Sequence, residues 1–137
     1  MPAFSGTSNK RLDSCHEDLQ LIFRTVVSEV DCSILCGHRE EAEQELAFSE
    51  GRSKVQFPGS KHNQLPSMAA DVGPYPINWV FIKRWYWFGG YVKAVADRLF
   101  DQGLISHRLR WGGDWDRDND LDDQRFNDLP HFELVKP

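Results

Sequence analysis

The chain has 137 residues, 40% of them apolar, and 16 basic against 21 acidic side chains give a formal net charge of -5. That acidic balance excludes the basic footprint of a nucleic-acid-binding protein, and no apolar run approaches the roughly 20 residues of a membrane-spanning helix. The length suits a single domain over residues 1–137, and the polar stretch from 1 to 11 lacks the apolar core of a secretory signal.

Leu19, Ile22, Phe23, Val26, Val27 and Val30 recur at helical spacing. They predict a first helix over residues 14–30, with Ser14 and Glu17 as a capping box at its start. Cys32 to Cys36 reads as a short strand, Gly37 as its turn, and Glu40 to Glu50 as a second helix stopped by Gly51. Arg39 then falls at a strand-to-helix junction. Arg52 to Gly59 is loop-like. The small and apolar run Met68 to Val72 reads as a buried strand carrying Asp71, ended by Gly73-Pro74-Tyr75-Pro76. A long aromatic helix follows from Trp79 to Gln102, ended by Gly103, with Gly89-Gly90 expected to weaken or bend it. Strands around His107 to Trp111 and His131 to Val135 complete an α+β fold, a small mainly antiparallel sheet flanked by helices. No internal repeat or low-complexity tract interrupts it.

Three side chains carry the chemistry of a catalytic zinc: His62, Asp71 and His131. Such a site keeps three protein ligands and leaves a fourth position to water, and the sequence offers no obvious fourth ligand. His62 and Asp71 are nine positions apart, about 30 Å along a straight strand, so the turn-prone Asn63-Gln64-Leu65-Pro66-Ser67 must reverse the chain. In the alternating segment His131-Phe132-Glu133-Leu134-Val135, Glu133 shares a face with His131 and is placed to orient it, while Phe132 and Leu134 face the opposite layer. Asp128, three residues before His131, is within reach of the same water as a general base.

These residues resemble the signature of the zinc D-alanyl-D-alanine carboxypeptidase and L-alanyl-D-glutamate peptidase family, which includes VanY-like enzymes and bacteriophage endolysins. The matching elements are Ser60-Lys61-His62, Ala69-Ala70-Asp71, and Asp128-Leu129-Pro130-His131. Gly37-His38-Arg39 is similar to an upstream glycine-any-arginine element, and Trp111-Gly112-Gly113-Asp114-Trp115 to a late glycine-aspartate-tryptophan segment. The likeness covers nearly the whole chain. It departs in the loop between His62 and Asp71, two residues longer than the commonest pattern, with Pro66-Ser67 in place of the usual glycine.

The resemblance implies a Hedgehog/DD-peptidase-like fold with one catalytic Zn2+ held by His62, Asp71 and His131. Asp128 is then the base, and Arg39 binds or polarises a substrate oxygen, a role that suits a permanently charged guanidinium. The implied activity is cleavage of peptidoglycan stem peptides, foremost by an L-alanyl-D-glutamate endopeptidase endolysin that lyses the host cell. A D,D-carboxypeptidase of the same fold and a catalytically inert wall-binding module are the alternatives. The implied life history is synthesis in host cytoplasm without a signal peptide, action on the wall in the periplasm after release, and a monomeric protein.

Other features keep two readings. Arg39 either contacts substrate or pairs with Glu43 one turn on. Ser60 and Trp87 are further candidates for substrate contact. Trp79, Ile82, Tyr86 and Gly90 form one apolar stripe and Phe81, Trp85, Phe88 and Val92 another, so core packing competes with sugar stacking. Asp114, Asp116, Asp118 and Asp120 in an acidic loop are either solvated or hold a structural Ca2+, although the glycine and terminal glutamate of an EF-hand are absent. Cys32, Cys36 and His38 could form a structural thiolate site, but without paired Cys-x-x-Cys elements reduced core thiols fit better.

Overall fold

The helical periodicity of residues 19–27 is realised in the second of two N-terminal helices, α1 (Gly6–Asp13) and α2 (Glu17–Glu29). The computed structural model describes residues 2–137. After β1 (Cys32–Cys36) and α3 (Glu41–Ser49) come β2 (Ala69–Pro74), α4 (Ile82–Asp101), β3 (Arg108–Gly112) and β4 (Asp128–Val135). The four strands form one antiparallel sheet in the order β1-β2-β4-β3.

Alternation along the strands decides which face is core. Ala70 and Val72 of β2, Leu109 and Trp111 of β3, and Phe132 and Leu134 of β4 join Phe23, Val26, Phe88 and Val92 from α2 and α4 in one buried cluster. Phe132 meets Phe23 and Phe88 edge-on, at 5.5 and 6.2 Å between ring centroids. Asp71, His131 and Glu133 therefore lie on the other face of the sheet. The register sets Asp71 directly opposite His131.

Three expectations are corrected. The capping box at Ser14 does not form. Ser14 instead ends α1, a helix without enough apolar residues to show a period, which buries only Ser8 and Leu12. α2 begins at Glu17, where His16 Nδ1 accepts the Asp18 N–H at 3.0 Å. The long helix begins at Ile82 rather than Trp79, because Trp79 leaves the helical path to stack on Trp85 with centroids 4.5 Å apart. Gly89-Gly90 leaves α4 unbroken. Gly89 lets the helix lie against Trp111 of β3, since a Cβ there would lie 2.2 Å from the indole. Of the two aromatic stripes, Trp85, Phe88 and Val92 are buried, while Phe81, Trp79 and Ile82 stand exposed.

Candidate active site

His62 sits in a 3-10 turn, Lys61–Asn63, and bends at 64–66 complete the reversal toward Asp71. Ser60 Oγ accepts the His62 N–H at 3.2 Å and Asn63 Oδ1 accepts the Ser60 N–H at 3.0 Å, so the turn is capped from both sides. Ser60 is thus buried, and its hydroxyl shapes the turn. The Arg39 N–H donates to the His62 carbonyl at 2.7 Å, and Asn63 Nδ2 to the Arg39 carbonyl at 3.0 Å. These two bonds fasten the His62 turn to the segment after β1.

From these elements His62, Asp71 and His131 converge. Asp71 Oδ1 lies 3.1 Å from His62 Nε2 and 3.4 Å from His131 Nδ1, and the two imidazole rings are 5.2 Å apart. One donor atom from each lies within 4.8 Å of the others, so the trio could hold a metal ion. The far nitrogens show that the set fits such an ion. His62 Nδ1 donates to the Gly37 carbonyl at 2.8 Å, and His131 Nε2 donates to Glu133 Oε1 at 2.8 Å. Each bond fixes a tautomer that turns a lone pair toward Asp71, which is the arrangement metal-ligating histidines need. Glu133 is itself held by Arg110 at 2.7 Å and Lys61 at 3.3 Å.

The charges respond to this crowding. Burial alone would lower the His62 pKa, but the Asp71 carboxylate beside it prevails and raises it to about 10. Burial would raise Asp71, yet the two imidazoles hold it far below the usual carboxylate range. Glu133, against its own burial, is drawn down to about 2 by His131 and Arg110. Asp128, the first residue of β4, is pushed up to about 6 by burial and then by the charge of Asp71. A carboxyl raised into that range beside a polar cluster is poised for proton transfer.

Arg39 reaches the cluster, with one terminal nitrogen 3.4 Å from Asp71 Oδ2 and the other donating to Gln44 Oε1 at 3.0 Å. Glu43 is not its partner. Gln44, unforeseen in the sequence, is fully buried; its Nε2 donates to Ser53 Oγ at 2.9 Å and the Val55 carbonyl at 2.8 Å. The available signal was a neutral amide inside the glutamate-rich run Glu40 to Glu45. Trp115 also stands at the site, its ring 5.3 Å from His131 and its Nε1 bonded to the Phe126 carbonyl. Trp87 does not reach it. Its ring tilts on Tyr91, whose hydroxyl bonds Glu29 of α2, in the helical layer across the sheet.

The metal-capable groups among the described residues are three. Besides the site above, His16, Asp18 and His107 cluster, as do Asp114, Asp116 and Asp118; Asp120 is not in that group. Cys32, Cys36 and His38 form no such group. All three cysteines are free, and burial pushes Cys15 and Cys32 up to about 12, as expected of inert core thiols.

The model of a phage L-alanyl-D-glutamate peptidase family matches residues 2–135. The chain belongs to that family. It is accordingly a hydrolase of peptidoglycan stem peptides. Among solved structures it is similar to the L-Ala D-Glu endopeptidase ChiX of Serratia marcescens, with 25% identity, a TM-score of 0.67, and coverage of 98% of this chain and 91% of that one. No curated protein matches the sequence. The peptidase's His62, Asp71 and His131 thus come together on the face of the sheet opposite α2 and α4.

Proposed function

We propose that this peptidase cuts the L-alanyl–D-glutamate amide of peptidoglycan with one zinc ion held by His62, Asp71 and His131. The observation that carries the reading is the pair of outer hydrogen bonds, from His62 to Gly37 and from His131 to Glu133, which aim both inner nitrogens at one point. Two imidazoles and one carboxylate are a catalytic rather than a structural donor set for zinc. Zinc held there supplies a Lewis acid for the peptide carbonyl and lowers the pKa of water toward 7.

The chain's own groups do the rest. Asp128 accepts the proton of the attacking water and returns it to the leaving amine, which its raised pKa suits. Arg39, held against Asp71 by Gln44, offers its guanidinium to the carbonyl oxygen as negative charge develops. Residues 1–137 act as one catalytic domain, as a monomer, on the wall of the phage host during lysis. No helix is long and apolar enough to cross a membrane.

The test is incubation of the purified chain with cell-wall sacculi and mass spectrometry of the new termini. New N-terminal D-glutamate, lost with a chelator and restored by zinc, is expected. Free D-alanine in its place would make the protein a carboxypeptidase, and retention on sacculi without new termini a binding module. The loop trio Asp114, Asp116 and Asp118 offers oxygen ligands only, which suits calcium rather than zinc. Calcium bound there raises the melting temperature of the protein in a concentration-dependent way, and an unchanged melting curve would remove that second ion.

A further inference from the structure

A rim of contacts runs around the His62, Asp71 and His131 cluster, and Lys54 lies on it. Gln44, bonded to Arg39 on one side, grips Ser53 and Val55 on the other. Lys54 lies between those two residues, with its ammonium over the Phe126 ring, 4.9 Å from the centroid. Phe126 is two residues before Asp128, and its carbonyl accepts the Trp115 indole, which stands against His131. Lys54 is therefore flanked by residues that Gln44 holds, with its ammonium on the Phe126 ring and its side chain exposed to solvent.

Four other cations have carboxylate partners. Arg39 faces Asp71, Lys61 and Arg110 face Glu133, and Lys93 faces Asp114. Lys54 makes no ion pair among the described residues.

The substrate supplies a matching anion. In a stem peptide D-glutamate is linked onward through its γ-carboxyl, and its α-carboxyl, two bonds from the nitrogen released on cleavage, is either a free carboxylate or an amide. A cleft that accepts this residue must meet that group close to the base. We propose that Lys54 is a specificity-determining residue that binds the α-carboxylate of D-glutamate and makes the enzyme prefer non-amidated over amidated stem peptides. The proposal rests on the endopeptidase reading above. The bonds of the Ser53 hydroxyl and the Val55 carbonyl to a buried amide, and the Phe126 ring beneath the ammonium, limit the freedom a lysine ordinarily loses on binding an anion.

The experiment compares kcat/KM on two synthetic muropeptides that differ only in D-glutamate or D-isoglutamine after L-alanine, for the wild type, Lys54→Met and Lys54→Arg. The wild type favours the carboxylate by about five- to tenfold, mostly through KM, as expected for one charge-assisted contact at a partly solvated rim. Lys54→Met brings the ratio toward one, and Lys54→Arg keeps it. Raising ionic strength shrinks the wild-type ratio, a readout that needs no variant. A wild-type ratio of one, or a ratio that survives in Lys54→Met, overturns the proposal. Failure of the wild type to cut either muropeptide after L-alanine instead overturns the endopeptidase reading, and this proposal with it.

Discussion

Two His–Asp–His trios occur in this chain, and they differ in which atoms are left to bind anything. In His62, Asp71 and His131 the outer imidazole nitrogens are occupied by Gly37 and Glu133, and the inner ones meet only Asp71. In His16, Asp18 and His107 both Nδ1 atoms and one carboxylate oxygen are spent on the fold. His16 Nδ1 accepts the Asp18 N–H, and Asp18 Oδ2 accepts from Ser106 N, Ser106 Oγ, His107 N and His107 Nδ1, between 2.8 and 3.2 Å. That carboxylate clasps the start of α2 to the chain entering β3. Proximity of two histidines and an aspartate is common to both trios; which lone pairs stay uncommitted is what separates them.

The largest contrast is expected from removing one histidine of each trio. His62→Ala or His131→Ala drops sacculus cleavage to background and bound zinc, measured by elemental analysis, to near zero. His107→Ala keeps one zinc per chain and full turnover per folded molecule, and loses melting temperature instead. Zinc lost equally from both variants would erase the distinction between the trios. Because protons compete for the same nitrogens, with His62 raised to about 10 in the absence of a cation, zinc affinity weakens as pH falls.

Next in size is Asp128, which sits beside the first trio and has no counterpart at the second. Asp128→Asn lowers kcat by about 10²–10⁴-fold with zinc still bound. A base works only when deprotonated, so wild-type turnover is lost as pH drops through the Asp128 pKa. That pKa is about 6 without a cation, and a divalent ion nearby pulls it lower. With zinc kept saturating at every pH, the acid limb of the pH–rate profile therefore lies at or below about 6 and is absent in Asp128→Asn. A limb above that value, or one that persists in the variant, assigns the base elsewhere.

The sequence shows the first trio more readily than the second for a physical reason. His62, Asp71, Asp128 and His131 stand in motifs whose local spacing is visible, and Glu133 follows from the two-residue strand period. The clasp joins Asp18 to His107 across 89 residues, and nothing local marks the pair. Gln44 and α1 were hidden in the same way. A buried amide is chosen by its partners Arg39, Asn63, Ser53 and Val55, and a helix that buries Ser8 and Leu12 shows no apolar period. The motif position of Ser60 suggested substrate contact but not the bond its hydroxyl makes to the turn. The sheet and α2 were legible because alternation and helical spacing report burial directly, whereas the exact start of α4 depended on Trp79 finding Trp85.

Stability separates the trios further. Asp18→Ala strands the donors of Ser106 and His107 and costs about 2–4 kcal/mol in denaturant unfolding, without changing turnover per folded molecule. Burial would raise the Asp18 pKa, but the bonds from His107 and Ser106 outweigh it and hold it below the ordinary value. A carboxyl depressed in the folded state adds stability above its unfolded pKa of about 3.9, and that stability is lost as pH falls through the lower folded value. The gap between wild type and Asp18→Ala is therefore full at neutral pH and narrows below about pH 4. A gap that widened in acid would mean that the aspartate is not the clasp.

The smallest effect concerns the hydrogen bond that distinguishes the first trio. Glu133→Gln keeps an oxygen able to accept from His131 Nε2 but removes the negative charge that Arg110 and Lys61 now balance. The imidazole becomes a weaker base and less firmly aimed, so zinc affinity in a chelator competition falls about 10–100-fold while the ligand count stays at three. Turnover at saturating zinc recovers most of the wild-type rate. If affinity were unchanged, the outer bond would be a packing contact only. Free lone pairs at His62, Asp71 and His131 would then be enough, without outer anchors, to account for the difference between the two trios.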